Sequence, residues 1–237
     1  MRSNVVETNS ELAGNATVTD DVLRSRVRMQ AFLSACLILL ILVADQLIKC
    51  YVKTHFLLHE SIDVTGWFKI LFIENSGMAF GMDFIGTMFL TMFRLVAVVF
   101  FCWVLAKVLR RGVPTGFVVC LSMIIAGAAR NIIDNCFYGL IFSESTAYSI
   151  PADFVPFGDG YGKFLEGRVV DMFYFPIITT TWPEWVPVWG GQPYIFFSPI
   201  FNFADSSISV GVVLLLLFYR KEISEISLKK ETQADEA

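Results

Sequence analysis

The sequence predicts a membrane all-α fold: four transmembrane helices with a small extracytoplasmic β-element and an interfacial segment. Three observations predict it. The 237 residues are 55% hydrophobic and only 17% charged, with a mean hydropathy of +0.62, whereas a typical soluble domain carries about a quarter charged residues. Four proline-free apolar stretches approach the roughly 20 residues that cross a bilayer as helix. Basic residues gather at three places, before the first stretch, between the second and third, and after the fourth, as the positive-inside rule requires of cytoplasmic segments.

The elements follow in order. Residues 1–28 are polar, richest in Ser, Thr, Asn and Asp up to residue 23, and are expected to be a disordered cytoplasmic N-terminus. The membrane domain is expected over residues 29–220. Its first span covers residues 29–51. It starts late, ends in Asp45-Gln46-Leu47-Ile48-Lys49 and lacks a small-residue cleavage site, so it does not read as a cleaved signal peptide. In the outer segment 55–84, the aromatic and β-branched run ahead of Asn75-Ser76-Gly77 suggests a strand and turn. The second span, residues 85–109, is followed by a link carrying Arg110 and Arg111, and the third covers residues 116–142. A long outer excursion, 143–200, contains three tryptophans near one another, whose amphipathic rings suit the headgroup layer. The fourth span, residues 203–219, is the shortest and leads to a charged cytoplasmic tail, 221–237. Both termini are then inside, and the two outer loops carry Glu60, Asp63, Glu144, Asp153 and Glu184. No internal repeat is visible, so an inverted-repeat transporter gains no support.

Several chemistries are disfavoured at once. A net charge of −4, scattered along the chain, does not suggest nucleic-acid binding. The five cysteines show no CxxC spacing, and the two histidines, His55 and His59, lie close together outside the spans. Neither a disulfide framework nor a structural zinc site is expected. No Ser/His/Asp or Cys/His set is available at membrane depth either.

Ionisable groups inside spans cost several kcal/mol by insertion scales, roughly 2.5–3.5 each at mid-membrane, so each needs a partner or a role. Asp45 and Lys49 are one turn apart and read as an ion pair at the end of the first helix. Arg94 either meets a carboxylate of another helix or snorkels outward. Arg130, Asn131 and Asp134 share a face of the third helix, where a structural hydrogen-bond cluster explains them as well as catalysis does. Asp205 opens the fourth span and would serve as its N-cap. Asp171 alone would be an ordinary loop carboxylate. The topology nevertheless places Asp45, Asn75, Asn131, Asp134, Asp171, Asn202 and Asp205 all on the outer side. Two carboxylates brought close cannot both ionise cheaply, so one keeps a proton while the other stays charged. Such a pair activates a water and protonates a departing amine. Two alternatives stand beside that reading: an ion-coupled transporter or channel using the outer aspartates, and a scaffold whose polar motifs only join helices.

At these residues the chain resembles the lipoprotein signal peptidases (signal peptidase II). The resemblance is carried by Asp45-Gln46-Leu47-Ile48-Lys49, Asn75-Ser76-Gly77-Met78-Ala79-Phe80, Asn131-Ile132-Ile133-Asp134, Gly167-Arg168-Val169-Val170-Asp171 and Phe201-Asn202-Phe203-Ala204-Asp205, in that order over residues 30–220. It implies an aspartic endopeptidase of the bacterial inner membrane that cuts a prolipoprotein just before its diacylglyceryl-modified cysteine. The substrate would be a lipid-modified prolipoprotein met among membrane lipids, by a monomer that needs no cofactor and no metal. By resemblance, Asp171 and Asp205 match the catalytic pair, Asn202 and Asn131 surround it, and Asn75 contacts substrate from the outer segment. Gly77 and Ala204 belong to the same motifs, while Asp45, Lys49 and Asp134 hold helices around the site. The chain departs from the family at Asn135, where Arg is common, at Arg130, where Gly is usual, and in its longer outer excursion. Arg130 is expected to be the charge partner that Asp134 elsewhere receives from the following Arg.

Overall fold

The computed structural model describes residues 2–75 and 83–225, with side chains described for 21–75 and 88–225. Ten elements follow in chain order: α1 (Arg2–His55), β1 (Ser61–Thr65), β2 (Phe68–Asn75), α2 (Asp83–Leu109), α3 (Thr115–Ile141), β3 (Val169–Tyr174), β4 (Ile178–Thr181), β5 (Pro193–Phe196), β6 (Ile200–Phe201) and α4 (Phe203–Phe218). Gly77 lies outside the described residues.

Among the described residues, three helices are long and apolar enough to cross a membrane: residues 21–55 of α1, residues 88–109 of α2, and α3. The fourth, α4, has 16 residues, about 24 Å of helix against a hydrocarbon core of about 30 Å. Helix resumes after a one-residue break at Tyr219. Only 6% of the apolar window of α2 is buried against protein, whereas 56% of that of α3 is, so α3 is the hub and α2 presents Phe93, Val96 and Phe89 outward.

The polar N-terminal stretch, expected as a separate segment up to residue 28, is helical from Arg2 and continuous with the first span. Arg26 donates to the Val113 carbonyl at 3.2 Å, Gln30 donates to the same oxygen at 3.1 Å, and Val27 packs on the Leu105–Val118 cluster. These contacts fasten the start of the span to the α2–α3 link.

The extended segments form two sheets. A four-stranded antiparallel sheet runs β1-β2-β3-β6, and β4 pairs with β5 as a separate hairpin. The strand expected ahead of Asn75 is β2. Beneath the larger sheet, Phe72, Val170 and Met172 pack with Val52 and Tyr138 of α1 and α3 and with Phe56 and Phe142 just past the ends of those helices. That cluster seats the sheet on the helix ends and so places β3 beside the start of α4.

Two glycines permit the close approaches this requires. A Cβ on Gly167 would lie 2.0 Å from the Asp134 carbonyl oxygen, and one on Gly127 would lie 2.2 Å from Ile208 Cγ1 and 2.7 Å from the Ala204 carbonyl oxygen. The first brings the entry to β3 against α3, and the second brings α3 against the first turns of α4.

Candidate active site

Asp171 is the third residue of β3, opposite Ile73 of β2 in the register, and is only 6% exposed. Asp205 sits in the first turn of α4 with a side chain 41% exposed. Asn202 joins them. Its Nδ2 donates to Asp171 Oδ1 at 2.6 Å, its Oδ1 accepts from the Asp205 amide at 3.2 Å, and its own amide faces Asp205 Oδ2 at 3.4 Å. The last two contacts are a reciprocal capping box, which the spacing Asn-x-x-Asp allows. The N-cap of α4 is therefore Asn202, and Asp205 is the third helical residue rather than the cap expected from its position.

Burial and the neighbouring charge of Asp205 together push the Asp171 carboxyl up to about 6, against the opposing Asn202 hydrogen bond and the charges of Arg130 and Lys49. One carboxyl is thus buried and takes up a proton more readily than a free aspartate, and the other is partly exposed.

Arg130 corrects the pairing expected from helix spacing. Its Nη2 donates to Asp205, its Nε to the Gly127 carbonyl at 3.0 Å, and its Nη1 lies 3.6 Å from Asp45 Oδ1. Asp134 is instead held by Lys49 and by Gln46, which donates at 2.7 Å. The physical reason is the approach of α4 at Gly127, which offers the guanidinium a carboxylate on another helix, while Lys49 of α1 already fills the Asp134 side. Lys49 also meets Asp45 at 2.9 Å, the expected one-turn pair, and all three side chains are essentially fully buried. Asp45 Oδ1 further accepts from the amide of Ala204, which is fully buried at the foot of α4, at 3.2 Å. The supporting residues form one chain of contacts from α1 through α3 to the helix that carries Asp205.

Asn131 is buried on α3, and its Oδ1 has no hydrogen-bond partner among the described residues. Asn75 is exposed at the end of β2, opposite Val169 and two residues beyond Ile73, so it lies on the same face of the sheet as Ile73. Asn135, where the family commonly has Arg, is buried. Its amide is best oriented with oxygen toward Thr91 Oγ1 (2.7 Å) and Arg94 Nη1 (3.1 Å) and nitrogen donating to the Gly167 carbonyl (3.0 Å). Arg94 therefore turns inward to α3 rather than snorkelling.

A second buried cluster was not anticipated. Lys53, fully buried, bonds Glu74 and donates to Ser145 at 2.8 Å, while Arg168 bridges Glu74 (3.2 Å) and Glu144 (2.6 Å). Burial works against the Glu74 carboxylate, yet Lys53 and the bonds from Ser145 and Arg168 hold it below the usual range. The cluster ties α1, β2, the segment after α3 and the entry to β3 together, with Glu74 one strand position from Ile73 and Arg168 three residues from Asp171. The one-turn continuation of Asp45 and Lys49 to Lys53 was the available signal. Among the described residues, no group of three or more His, Cys, Asp or Glu side chains is arranged to hold a metal, and the five cysteines are free.

A family model described as signal peptidase (SPase) II matches residues 37–220. The chain belongs to the signal peptidase II family. A lipoprotein signal peptidase of Porphyromonas gingivalis is 50% identical over 199 residues, covering 84% of this chain and 87% of that relative. One from Amoebophilus asiaticus is 34% identical over 202 residues, covering 81% and 80%. Among solved structures, a bacterial membrane enzyme determined by the in meso method at 1.9 Å resolution superposes with a TM-score of 0.53, at 22% identity, over 80% of this chain and 93% of that one. It shares the fold: apolar helices carrying small sheets. None of these likenesses supports the transporter reading.

Proposed function

We propose that this chain is an aspartic endopeptidase that removes the signal peptide from diacylglyceryl-modified prolipoproteins, cutting just before the lipidated cysteine. The observation that carries the catalytic type is Asn202, which hydrogen-bonds Asp171 and caps α4 against Asp205, holding two unlike carboxyls side by side. Family membership supports the substrate class, and the similar lipoprotein signal peptidases point the same way.

The roles follow from the asymmetry. Asp171, buried and raised to about 6, supplies the proton. Asp205, half-exposed and paired with the Arg130 guanidinium, supplies the base. A substrate water gives a proton to Asp205 as its oxygen attacks the scissile carbonyl carbon, and Asp171 protonates the carbonyl oxygen. The resulting diol collapses with a proton passed from Asp205 to the departing nitrogen, breaking the C–N bond. The products are a signal peptide ending in a carboxyl group and a lipoprotein whose cysteine has a free amine. Asp171 recovers its proton from the collapsing diol, so the pair ends as it began. Asn131, whose buried oxygen has no partner among the described residues, and Asn75, exposed at the end of β2, are assigned to orient the substrate main chain. The domain at residues 29–220 would act as a monomer in the bacterial inner membrane, with both termini inside, so that the pair meets a substrate whose acyl chains stay in the outer leaflet.

Complementation tests the proposal. Expression in a bacterium depleted of its own signal peptidase II should restore growth and the mature form of its lipoproteins. Full-length membrane expression with continued accumulation of prolipoprotein would count against it.

A further inference from the structure

We propose that the β4–β5 hairpin is a docking surface for the lipid headgroup layer, anchoring the sheet that carries Asp171 at a fixed level of the bilayer. Four observations lead there. The segment from Phe175 to Phe201 contains one charged residue, Glu184, so it offers a charged protein partner or an anionic patch almost nothing. Its tip nevertheless presents Trp185 at 82% exposure and Val188 at 85%, with Ile178 at 54% on the strand below. Val188 also adopts φ 73°, a left-handed conformation that a β-branched residue rarely takes. The fold therefore holds an apolar side chain outward against local backbone preference, which water alone would not reward.

The loop is also built for a poor hydrogen-bonding solvent. Its main chain closes on itself, with Trp182 N donating to Gln192 O (2.9 Å), Gly191 N to Trp182 O (2.9 Å) and Gly190 N to Val186 O (3.0 Å), while the Trp182 ring packs on Trp189 and Tyr194. Indoles with one polar edge suit the interface between headgroups and acyl chains.

Continuity with the membrane selects the occupant. The chain leaves β3 three residues before the hairpin and returns through β6 to Phe201, and the apolar helix α4 begins at Phe203. The hairpin is thus hinged where the chain enters the membrane, and lipid headgroups are what surrounds that level. Anchoring there would fix the height of Asp171 against a cleavage site set by the lipid on the substrate. That consequence rests on the peptidase reading, whereas the anchoring itself does not.

The test uses the full chain in nanodiscs, with Trp67→Phe and Trp103→Phe so that, of the five tryptophans, the three in the hairpin report. Phosphatidylcholine brominated near the headgroup end of its chains should quench about half of the emission or more, lipid brominated near the chain end much less, and aqueous iodide little. Strong iodide quenching without bromine quenching would overturn the proposal. So would bromine-insensitive emission that becomes shielded only when a lipidated prolipoprotein is added, which would make the hairpin a substrate cover. Shielding that appears only with more than one copy per disc would likewise overturn it in favour of a self-interface. Val188→Asn supplies a second readout that a merely structural role would not give. It relieves the backbone strain and so should raise the melting temperature in detergent, yet reduce bromine quenching and raise KM severalfold for lipidated substrate in nanodiscs with kcat retained. A variant that melts lower and keeps full bromine quenching would contradict the anchor.

Discussion

Replacing Asp171 or Asp205 with Asn should each lower the rate of prolipoprotein cleavage on the order of a thousandfold, with the protein still accumulating in membranes. Asn preserves shape and can keep one hydrogen bond to Asn202, but it neither takes a proton from water nor gives one to the substrate. The two variants should then part company in stability. The folded Asp171 carboxyl is raised from 3.8 to about 6, so folding favours its protonated form. A group raised in the folded state contributes stability below its unfolded value and loses it as pH climbs through the folded one. At neutral pH the buried carboxylate therefore costs stability, about 2–3 kcal/mol as an upper figure from the size of that shift. Asp171→Asn should melt higher than the parent above pH 6 and no higher below the unfolded value of 3.8. Asp205→Asn removes the partner of Arg130 and should bring no such gain. Unchanged cleavage in either variant would remove that residue from the mechanism, and an Asp171→Asn melting point that is lower at every pH would contradict its assignment as the proton-bearing member.

The second large effect is expected at Lys49. Its ammonium is the shared partner of Asp45 and Asp134, and all three side chains are essentially fully buried. Lys49→Met would leave two carboxylates with one cation between them, Arg130, which lies 3.6 Å from Asp45 and is already bonded to Asp205. Removing one partner of a buried pair costs about 3–5 kcal/mol, which for a chain of this size lowers the melting temperature by about 10 °C. Adding Asp134→Asn should recover much of that loss, because the amide keeps an oxygen for the Gln46 bond while discarding the uncompensated charge. The same logic withdraws a compensation that helix spacing suggests. Arg130→Ala is not expected to be rescued by Asn135→Arg, since Arg130 serves Asp205 and Asp45, and a cation at position 135 would face Arg94. Thermal melts of the four variants in one detergent decide both points. A stable Lys49→Met, or a double variant no better than the single, would show that the buried triad is not what joins α1 to α3.

What was legible in the sequence was whatever depends on composition and local order. Apolar runs announce membrane helices because lipid selects for them directly, and α2 and α3 begin and end within about two residues of the expected spans. That Asn202 would bring Asp171 and Asp205 together was less legible: each aspartate has an ordinary local explanation, and only the family motifs singled them out as a pair. Arg130 shows where this stops. Helical periodicity offers it Asp134 one turn away, but the absence of a side chain at Gly127 lets α4 approach and supplies Asp205 instead, a tertiary event with no local signature. Lys53, Glu74 and Arg168 were missed for a related reason: they come from three separate segments, and only the register of β2 on β3 makes them neighbours. The attachment of the start of the first span was not legible either, because it is made by single residues such as Arg26 and Gln30 with the α2–α3 link.

The central claim is a cut made by Asp171 and Asp205 just before a lipidated cysteine, and mass spectrometry of the products tests it most directly. Purified protein would be incubated with a prolipoprotein carrying the diacylglyceryl group and with the same chain lacking it. The account predicts one new amino terminus, the lipidated cysteine, from the modified substrate only, and none from either Asn variant. Cleavage elsewhere, equal cleavage of the unmodified chain, or a cut that survives Asp171→Asn or Asp205→Asn would contradict it.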